Sequence, residues 1–268
     1  MLALSKNILA PALKKLEQRS VLSEADRAAF LGMPFNIKSM SASNYIIREQ
    51  DLTKHCCVLL SGFAFRSKIV GNGARQILSV HIPGEVLDLQ HAFLGIADHS
   101  IQMLSSGNVA FVPAEAVHEI AVAHPAIGRA MWLETLAESS IFREWIANIG
   151  RRNALSRVAH LLCEIAVRLH SAGLIDGTRY ELPMTQEQLA DATGLTTVHV
   201  NRMLQKLRCD GLITRDKRAI TIGNWKALSG VADFNPDYLH LNGALSQNFA
   251  SSEGRLYRVR PGDDLSLA

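Results

Sequence analysis

Residues 182–222 constrain the fold most, because two short helical patterns meet there at a glycine and two strand-like runs follow. Thr185 precedes the first pattern and Gln188 stands three residues later, which is the spacing of a capping box. Gly194 ends this helix at a turn that favours positive φ, and Thr196 caps the next helix. Two helices joined by a short turn that contains glycine form a helix-turn-helix. The run LITRDKRAITI after them predicts a wing, made of a strand, a turn and a second strand.

This segment also carries the residue types that bind DNA. An α-helix fits the major groove, and the side chains near its N-terminus reach base edges. Twelve lysines and arginines against seven aspartates and glutamates give residues 151–226 a net charge of +5, in a chain of 268 residues whose total is +3. This excess favours an anionic partner, and a helical hairpin that only packs is the alternative. The candidate DNA-binding residues are Thr185, Thr196, Thr197, Val198, His199, Asn201, Arg202, Lys206, Lys217 and Arg218.

The region between about residue 34 and residue 113 has the pattern of antiparallel β-structure. Short apolar or alternating runs are cut by glycine, among them NYIIRE, HCCVLLSG, FAFRSKIV, RQILSVHI and NVAFVP. The sequence Gly71-Asn72-Gly73 predicts a hairpin turn, since glycine and asparagine tolerate positive φ. Several short strands at close spacing favour a barrel or a jelly roll.

Residues 126–149 predict a long helix with an apolar stripe. The stripe recurs at gaps of three and four residues, and it can pack either on the barrel or on the same helix of a second copy. Residues 150–153 form the natural break before a further helix at 154–172. The candidate dimer-interface residues are Trp132, Leu136, Phe142, Ile146 and Ile149.

Composition excludes several classes of protein. Apolar residues make up 48% of the chain and charged residues 20%, which excludes disorder throughout. No run of about 18 apolar residues lacks a charge, so no membrane-spanning helix is expected. The N-terminal segment lacks the pattern of a signal peptide. We therefore expect the four cysteines to be free thiols in a reducing cytosol and the chain to be cytoplasmic.

Four segments of the chain resemble the Crp/Fnr superfamily of transcription regulators: LSGFAFRS, RQILSVHIPGEVLDLQ, RVAHLLCEIAVRL and LTTVHVNRMLQKL. The resemblance implies an α+β fold. Its parts would be an N-terminal antiparallel β jelly roll of the cyclic-nucleotide-binding type at 10–125, a dimerisation helix at 126–150 and a winged helix-turn-helix at 151–225. A C-terminal extension with a disordered tail is expected at 226–268.

The same resemblance implies a homodimeric, sequence-specific DNA-binding transcription regulator that is not an enzyme. Its expected partners are double-stranded DNA, a second copy of the chain and, as a candidate, RNA polymerase; no membrane, cofactor or metal is expected. A jelly-roll metal enzyme of the cupin kind with a helical appendage is the alternative. His81, His91 and His99 do not have the spacing that its metal site needs.

The chain departs from the members that bind cyclic AMP. Those members place an Arg-Ser or Arg-Thr pair after a Gly-Glu motif, and the arginine holds the phosphate. This chain keeps Gly84 and Glu85, but Asp98-His99-Ser100 stands where the pair is expected, and no lysine or arginine lies between Arg75 and Arg129. A buried phosphate would lack its cation, so the effector is expected to be a molecule other than cyclic AMP. The candidate effector-pocket residues are Gly84, Glu85, His99 and Ser100.

Two further departures concern cysteines and base readout. Cys56 and Cys57 alternate across a strand, so they point to opposite faces and are poorly placed for one iron–sulfur cluster. Many members carry a glutamate where this chain has Val198, while the arginine four residues later is kept as Arg202. Valine offers a methyl contact suited to thymine, so the half-site of better-known members is not expected here.

Overall fold

The computed structural model describes residues 8–175 and 177–241. None of the helices in these two ranges is long and apolar enough to cross a membrane. In chain order the elements are α1 Ala10–Glu17, α2 Glu24–Leu31, β1 Asn36–Met40, β2 Tyr45–Ile47, β3 His55–Leu59, β4 Ala64–Ile69, β5 Arg75–His81, α3 His91–Leu94, β6 Ser100–Met103, β7 Gly107–Pro113, α4 Ala114–Ala123, α5 Pro125–Arg151, α6 Ala154–Ser171, β8 Arg179–Glu181, α7 Gln186–Thr193, α8 Thr197–Cys209, β9 Ile213–Asp216, β10 Ala219–Ile222, α9 Trp225–Ala232 and a 3-10 helix Pro236–Leu239.

The N-terminal strands form two antiparallel sheets, as predicted for a jelly roll. One sheet has the order β1–β7–β3 and the other β2–β6–β4–β5. The predicted hairpin joins β4 to β5, where Ile69 pairs with Arg75 and Gly73 has a φ of +81°. Cys56 belongs to one buried apolar cluster, with Val58, and Cys57 belongs to another, with Leu59. This confirms that the two cysteines face opposite ways.

The C-terminal helices and wing are also as predicted, with one strand added. Helix α5 covers 125–151, which extends the helix predicted at 126–149 by one residue at its N-terminus and by two at its C-terminus. The wing strands β9 and β10 pair with each other, and β8 pairs with the other edge of β10. Sequence reasoning missed β8 because it has only three residues, and its partner lies about forty residues later in the chain.

One buried cluster joins the jelly roll to the helix-turn-helix. It contains Phe65 and Ile77 from β4 and β5 together with Leu162 of α6 and Leu189 of α7. Polar contacts reinforce this packing, since Arg75 lies 2.7 Å from the Asp191 carboxylate of α7. The DNA-binding segment of the chain is therefore docked on its own jelly roll.

The predicted C-terminal extension at 226–268 begins with ordered helices. Helix α9 begins after Asn224, whose side chain accepts a hydrogen bond from Ala227, and it packs on α6 with Leu228 and Ala232 buried. The 3-10 helix then contacts α5. The side-chain cap and the two buried apolar residues hold this part of the extension in place. The rest of the predicted tail, from 242 onward, lies outside the described residues.

Candidate nucleic-acid interface

The two helices of the helix-turn-helix are held by the caps that the sequence predicted. Thr185 Oγ1 accepts a hydrogen bond from the Gln188 amide at 3.1 Å, and Gln188 Oε1 accepts one from the Thr185 amide at 2.8 Å. Thr196 Oγ1 accepts one from the His199 amide at 3.3 Å. Gly194 has a φ of +64°, and a Cβ there would lie 3.1 Å from Ile149, so both conformation and space favour glycine.

Helix α8 presents one apolar face to the core and one polar face to solvent. Val200, Leu204 and Leu207 are buried. On the opposite face the apolar side chain of Val198 is 67% exposed to solvent. Four further predicted residues of α8 are also exposed: Thr197, His199, Arg202 and Lys206. Asn201 is half-buried.

Arg202 is available for an outside partner. It makes no hydrogen bond or ion pair with any residue that the structure describes, and its side chain is exposed. Asp191 does not pair with Arg202, because its carboxylate binds Arg75 at 2.7 Å. Lys206 differs, because its ammonium lies 2.9 Å from Asp210 in the last turn of the helix. A phosphate contact by Lys206 therefore has to compete with Asp210.

The wing places two predicted cations at its tip. Lys217 occupies the turn between β9 and β10 with a φ of +52°, and both Lys217 and Arg218 are exposed. Arg215 Nε donates a hydrogen bond of 3.0 Å to the Lys217 carbonyl, which fixes this strained turn. The structure thus gathers the ten predicted DNA-binding residues on the caps, on the exposed face of α8 and on the wing.

Of the four predicted effector-pocket residues, His99 lines the cleft described below, whereas Gly84 and Glu85 make structural contacts elsewhere. Gly84 turns the chain beside Pro11 with a φ of +92°. The Glu85 carboxylate is buried and bound by Arg168, by Lys15 at 3.0 Å and by His81 at 3.1 Å. Burial alone would raise the pKa of Glu85, but Arg168 and Lys15 hold that pKa well below its usual range. Ser100 accepts a hydrogen bond from the Glu49 amide and does not line the cleft described next.

A cleft of about 350 Å³ lies between the β4–β5 hairpin and α5. His99 lines it, and so does Arg66 of β4, a cation that the sequence argument missed because it precedes Arg75. Arg66 is neutralised, since its guanidinium lies 2.7 Å from Glu138 and also donates to the Leu87 carbonyl at 2.7 Å. The remaining walls are mostly apolar and come from α3, α5 and the hairpin; they include Ile77, Leu94, Phe142, Trp145, Ile146 and Ile149.

The predicted dimer-interface residues fall into two groups on α5. Trp132 is 64% exposed and Ile146 71% exposed, and Leu136 is also exposed. Phe142 and Ile149 are half-buried and line the cleft of their own chain, and Ile146 reaches both the cleft and solvent. Ala130, Met131 and Ala137 form the buried face of the helix.

The described residues contain no group of three or more histidines, cysteines or acidic residues that could hold a metal ion. His81 binds Ser79 and Glu85, and His99 binds Asp98. The cupin-like alternative therefore finds no support within the described residues.

Comparisons with known proteins agree with both halves of this architecture. The model of the cyclic nucleotide-binding domain matches residues 37–124, and that of the Crp-like helix-turn-helix domain matches residues 156–231. The transcriptional activator protein FnrL of Cereibacter sphaeroides is 26% identical over 199 residues, which cover 71% of this chain and 78% of that protein. The nitrogen fixation regulation protein FixK of Rhizobium meliloti is 27% identical over 195 residues, which cover 70% and 83%.

A solved structure shows the same fold. FixK2 from Bradyrhizobium japonicum superposes with a TM-score of 0.69 at 24% identity, and the match covers 98% of that chain but 74% of this one. About a quarter of this chain thus has no counterpart in FixK2.

Proposed function

Since this chain belongs to the Crp/Fnr superfamily of DNA-binding transcription regulators, we propose that it works as a homodimer that reads a two-fold symmetric DNA site with α8 of each copy. The observation that carries the proposal is the exposed face of α8. Arg202 stands there without an internal partner, beside Val198 and Asn201. Arginine pairs with the O6 and N7 of guanine, asparagine with adenine, and a valine methyl contacts the thymine methyl.

Phosphate contacts would position this helix. Lys217 and Arg218 project from the wing, and the first turn of α8 offers main-chain amides to an anion. These groups bind any sequence, so they supply affinity, while the side chains of α8 supply specificity. Such a regulator needs no catalytic group, and we assign no enzymatic activity to the chain.

The second copy would pack along α5. Three large apolar side chains, Trp132, Leu136 and Ile146, stand exposed on that helix. Full burial of each of them is worth about 1.5–3 kcal/mol, which favours association over exposure. Two-fold symmetry would then set the two α8 helices about 34 Å apart, one turn of DNA. RNA polymerase is a proposed further partner and the cytoplasm the proposed location, as suits a regulator related to a transcriptional activator.

The cleft beside Arg66 and His99 is the proposed place for an effector, in place of the pocket at Gly84 and Glu85. Cyclic AMP is not the proposed ligand. Of the cations that line the cleft, Arg66 binds Glu138 at 2.7 Å and Lys68 binds Glu49 at 3.3 Å, so a cyclic phosphate would have to compete with a carboxylate for either of them.

The test is a DNA selection with purified full-length protein and a random duplex library, with and without cell extract. We expect a palindromic motif with half-sites one helical turn apart. If a motif is enriched only in the presence of the extract, then DNA binding needs an effector that the extract supplies. A library that stays random under both conditions, while the protein remains folded, would contradict the proposal.

A further inference from the structure

We propose that Gln186 determines base specificity by orienting Asn201 for adenine. The inference rests on the proposed function, because it assumes that α8 reads bases. It adds a residue from the first helix of the motif, α7, to the residues of α8 that contact the DNA.

The contact that carries the inference crosses the turn of the helix-turn-helix. Asn201 Nδ2 donates a hydrogen bond of 2.7 Å to Gln186 Oε1, and the two residues lie fifteen positions apart. Neither side chain makes another hydrogen bond within the residues that the structure describes. Gln186 is the first residue of α7, and the Thr185–Gln188 capping box fixes its backbone. The anchor for Asn201 is therefore itself held in place.

The chemistry of a carboxamide explains why this contact would affect specificity. Adenine offers an acceptor at N7 and a donor at N6 in the major groove, so asparagine must present one N–H and its oxygen together. An isolated asparagine amide can rotate to the opposite orientation. Gln186 Oε1 takes one of the two Asn201 N–H groups and so fixes the side of the amide that carries nitrogen. The other N–H and the oxygen stay available for adenine.

The same orientation discriminates against guanine. Guanine offers two acceptors, O6 and N7, at its major-groove edge. The fixed Asn201 oxygen would face one of them without a hydrogen, and a polar group desolvated without a partner is unfavourable. Gln186 keeps both of its own N–H groups free of described protein partners, and it is exposed at a helix N-terminus where a phosphate can approach. The predicted chain of contacts runs from phosphate to Gln186, to Asn201 and to adenine.

The experiment compares base preferences of four proteins in the same DNA selection: wild type, Gln186→Met, Gln186→Glu and Asn201→Ala. For wild type we expect adenine at one base pair of each half-site. Gln186→Met removes the acceptor and should reduce that preference about 5–10-fold, leaving the other positions unchanged. Gln186→Glu keeps an acceptor oxygen, so it should retain the adenine preference while its added charge weakens binding to all sequences.

Gln205→Met is the matched control, since Gln205 is exposed on α8 and has no hydrogen bond to Gln186. It should leave the adenine preference intact. Each variant is first checked by thermal unfolding, which should change little in the glutamine variants because Gln186 and Gln205 are exposed. A Gln186→Met profile identical to wild type at every base, with affinity lower for all sequences, would make Gln186 a phosphate contact only and overturn the inference. A wild-type profile insensitive to Asn201→Ala would overturn it too, and would leave the proposed function standing. Only a wild-type protein without any base preference would contradict both the inference on Gln186 and the proposed function.

Discussion

Glu85 and Arg168 form a buried salt bridge between the jelly roll and the first helix of the DNA-binding region, in which one guanidinium nitrogen contacts both carboxylate oxygens. Arg168 Nη2 lies 2.8 Å from Glu85 Oε1 and 2.9 Å from Oε2. The second nitrogen of the guanidinium, Nη1, donates to Glu164 at 3.1 Å. Glu164 also accepts from Trp145 of α5 at 2.9 Å and from Tyr238 of the extension at 2.8 Å. Arg168 and Glu164 of α6 together link the jelly roll, α5 and the C-terminal extension.

The first prediction concerns this salt bridge. Arg168→Met should lower the free energy of unfolding by about 3–5 kcal/mol, because it leaves the Glu85 charge buried with less compensation. Urea unfolding at pH 7 measures this change. The double variant Glu85→Gln with Arg168→Met should recover part of the loss, since it removes both charges.

The control is Lys206→Ala, which breaks an exposed ion pair with Asp210. Pairs of this kind contribute about 0–1 kcal/mol, so the variant should unfold close to wild type. Equal stability of wild type and Arg168→Met would mean that the Glu85–Arg168 salt bridge does not hold the jelly roll and the DNA-binding region together.

The second prediction concerns pH and His160. Burial of His160, together with the nearby Arg152, lowers the pKa of its imidazole from 6.5 to about 3. The Glu144 carboxylate, 3.3 Å away, opposes this, but it is paired with Arg152 at 2.7 Å. Because the native pKa is depressed, the stability from neutral His160 is complete above pH 6.5 and is lost as the pH falls toward 3.

Urea unfolding at pH 7, 6 and 5 of wild type and of His160→Phe tests this prediction. The phenylalanine can keep the ring contacts with Phe234 and Tyr238 without a titratable group. Below pH 6.5 the wild type should lose up to about 1.4 kcal/mol more per pH unit than the variant. Parallel pH profiles would show that the imidazole titrates normally in the native state.

The sequence predicted the parts of the site that depend on neighbouring residues. The capping box at Thr185, the turn at Gly194 and the cap at Thr196 are each decided within about four residues, so their patterns are visible in the chain. The β4–β5 hairpin is local for the same reason. The base-reading positions of α8 follow from the order of the two helices and from the family resemblance, which place the N-terminal residues of the second helix nearest the bases.

The parts that were missed depend on contacts between distant residues. The motif around Glu85 gives no sign of its salt bridge, because the partner Arg168 stands 83 positions later in the chain. Arg66 escaped notice because the search for a phosphate partner followed the family's motif downstream of Gly84. The hydrogen bond between Gln186 and Asn201 appears only once α7 and α8 are packed. No local pattern encodes any of these pairings.

The third prediction concerns dimerisation. Leu136→Asp or Ile146→Asp should convert a dimer into monomers, because each change places a charge on the exposed apolar side of α5. Operator binding should weaken at the same time. Sedimentation at micromolar concentration measures the assembly state.

Val122→Asp is the control for dimerisation, since Val122 is 81% exposed but lies on α4. It should leave the assembly state unchanged. A wild type that sediments as a monomer and still binds its operator tightly would refute dimerisation through α5.

The fourth prediction concerns cyclic AMP. Calorimetry with millimolar cyclic AMP or cyclic GMP should give no saturable heat, because Glu138 already occupies the guanidinium of Arg66 and Glu49 the ammonium of Lys68. The variant Glu138→Gln tests this reason. It removes the carboxylate that occupies Arg66, so it should bind cyclic nucleotides more tightly than wild type does. A wild-type dissociation constant at or below about 10 μM, about −7 kcal/mol, would contradict the prediction.

The last prediction separates base readout from phosphate contact. Arg202→Ala should cost about 1–3 kcal/mol on the selected site and relax the preference at one base pair of each half-site, since its guanidinium has no described partner within the protein. Lys217→Ala, at the tip of the wing, should weaken selected and random DNA alike and reduce the slope of log affinity against log salt by about one. Filter binding over a salt series measures both effects. If Arg202→Ala instead unfolds at a much lower temperature while its remaining folded fraction keeps full specificity, then Arg202 supports the fold and another residue of α8 reads the base.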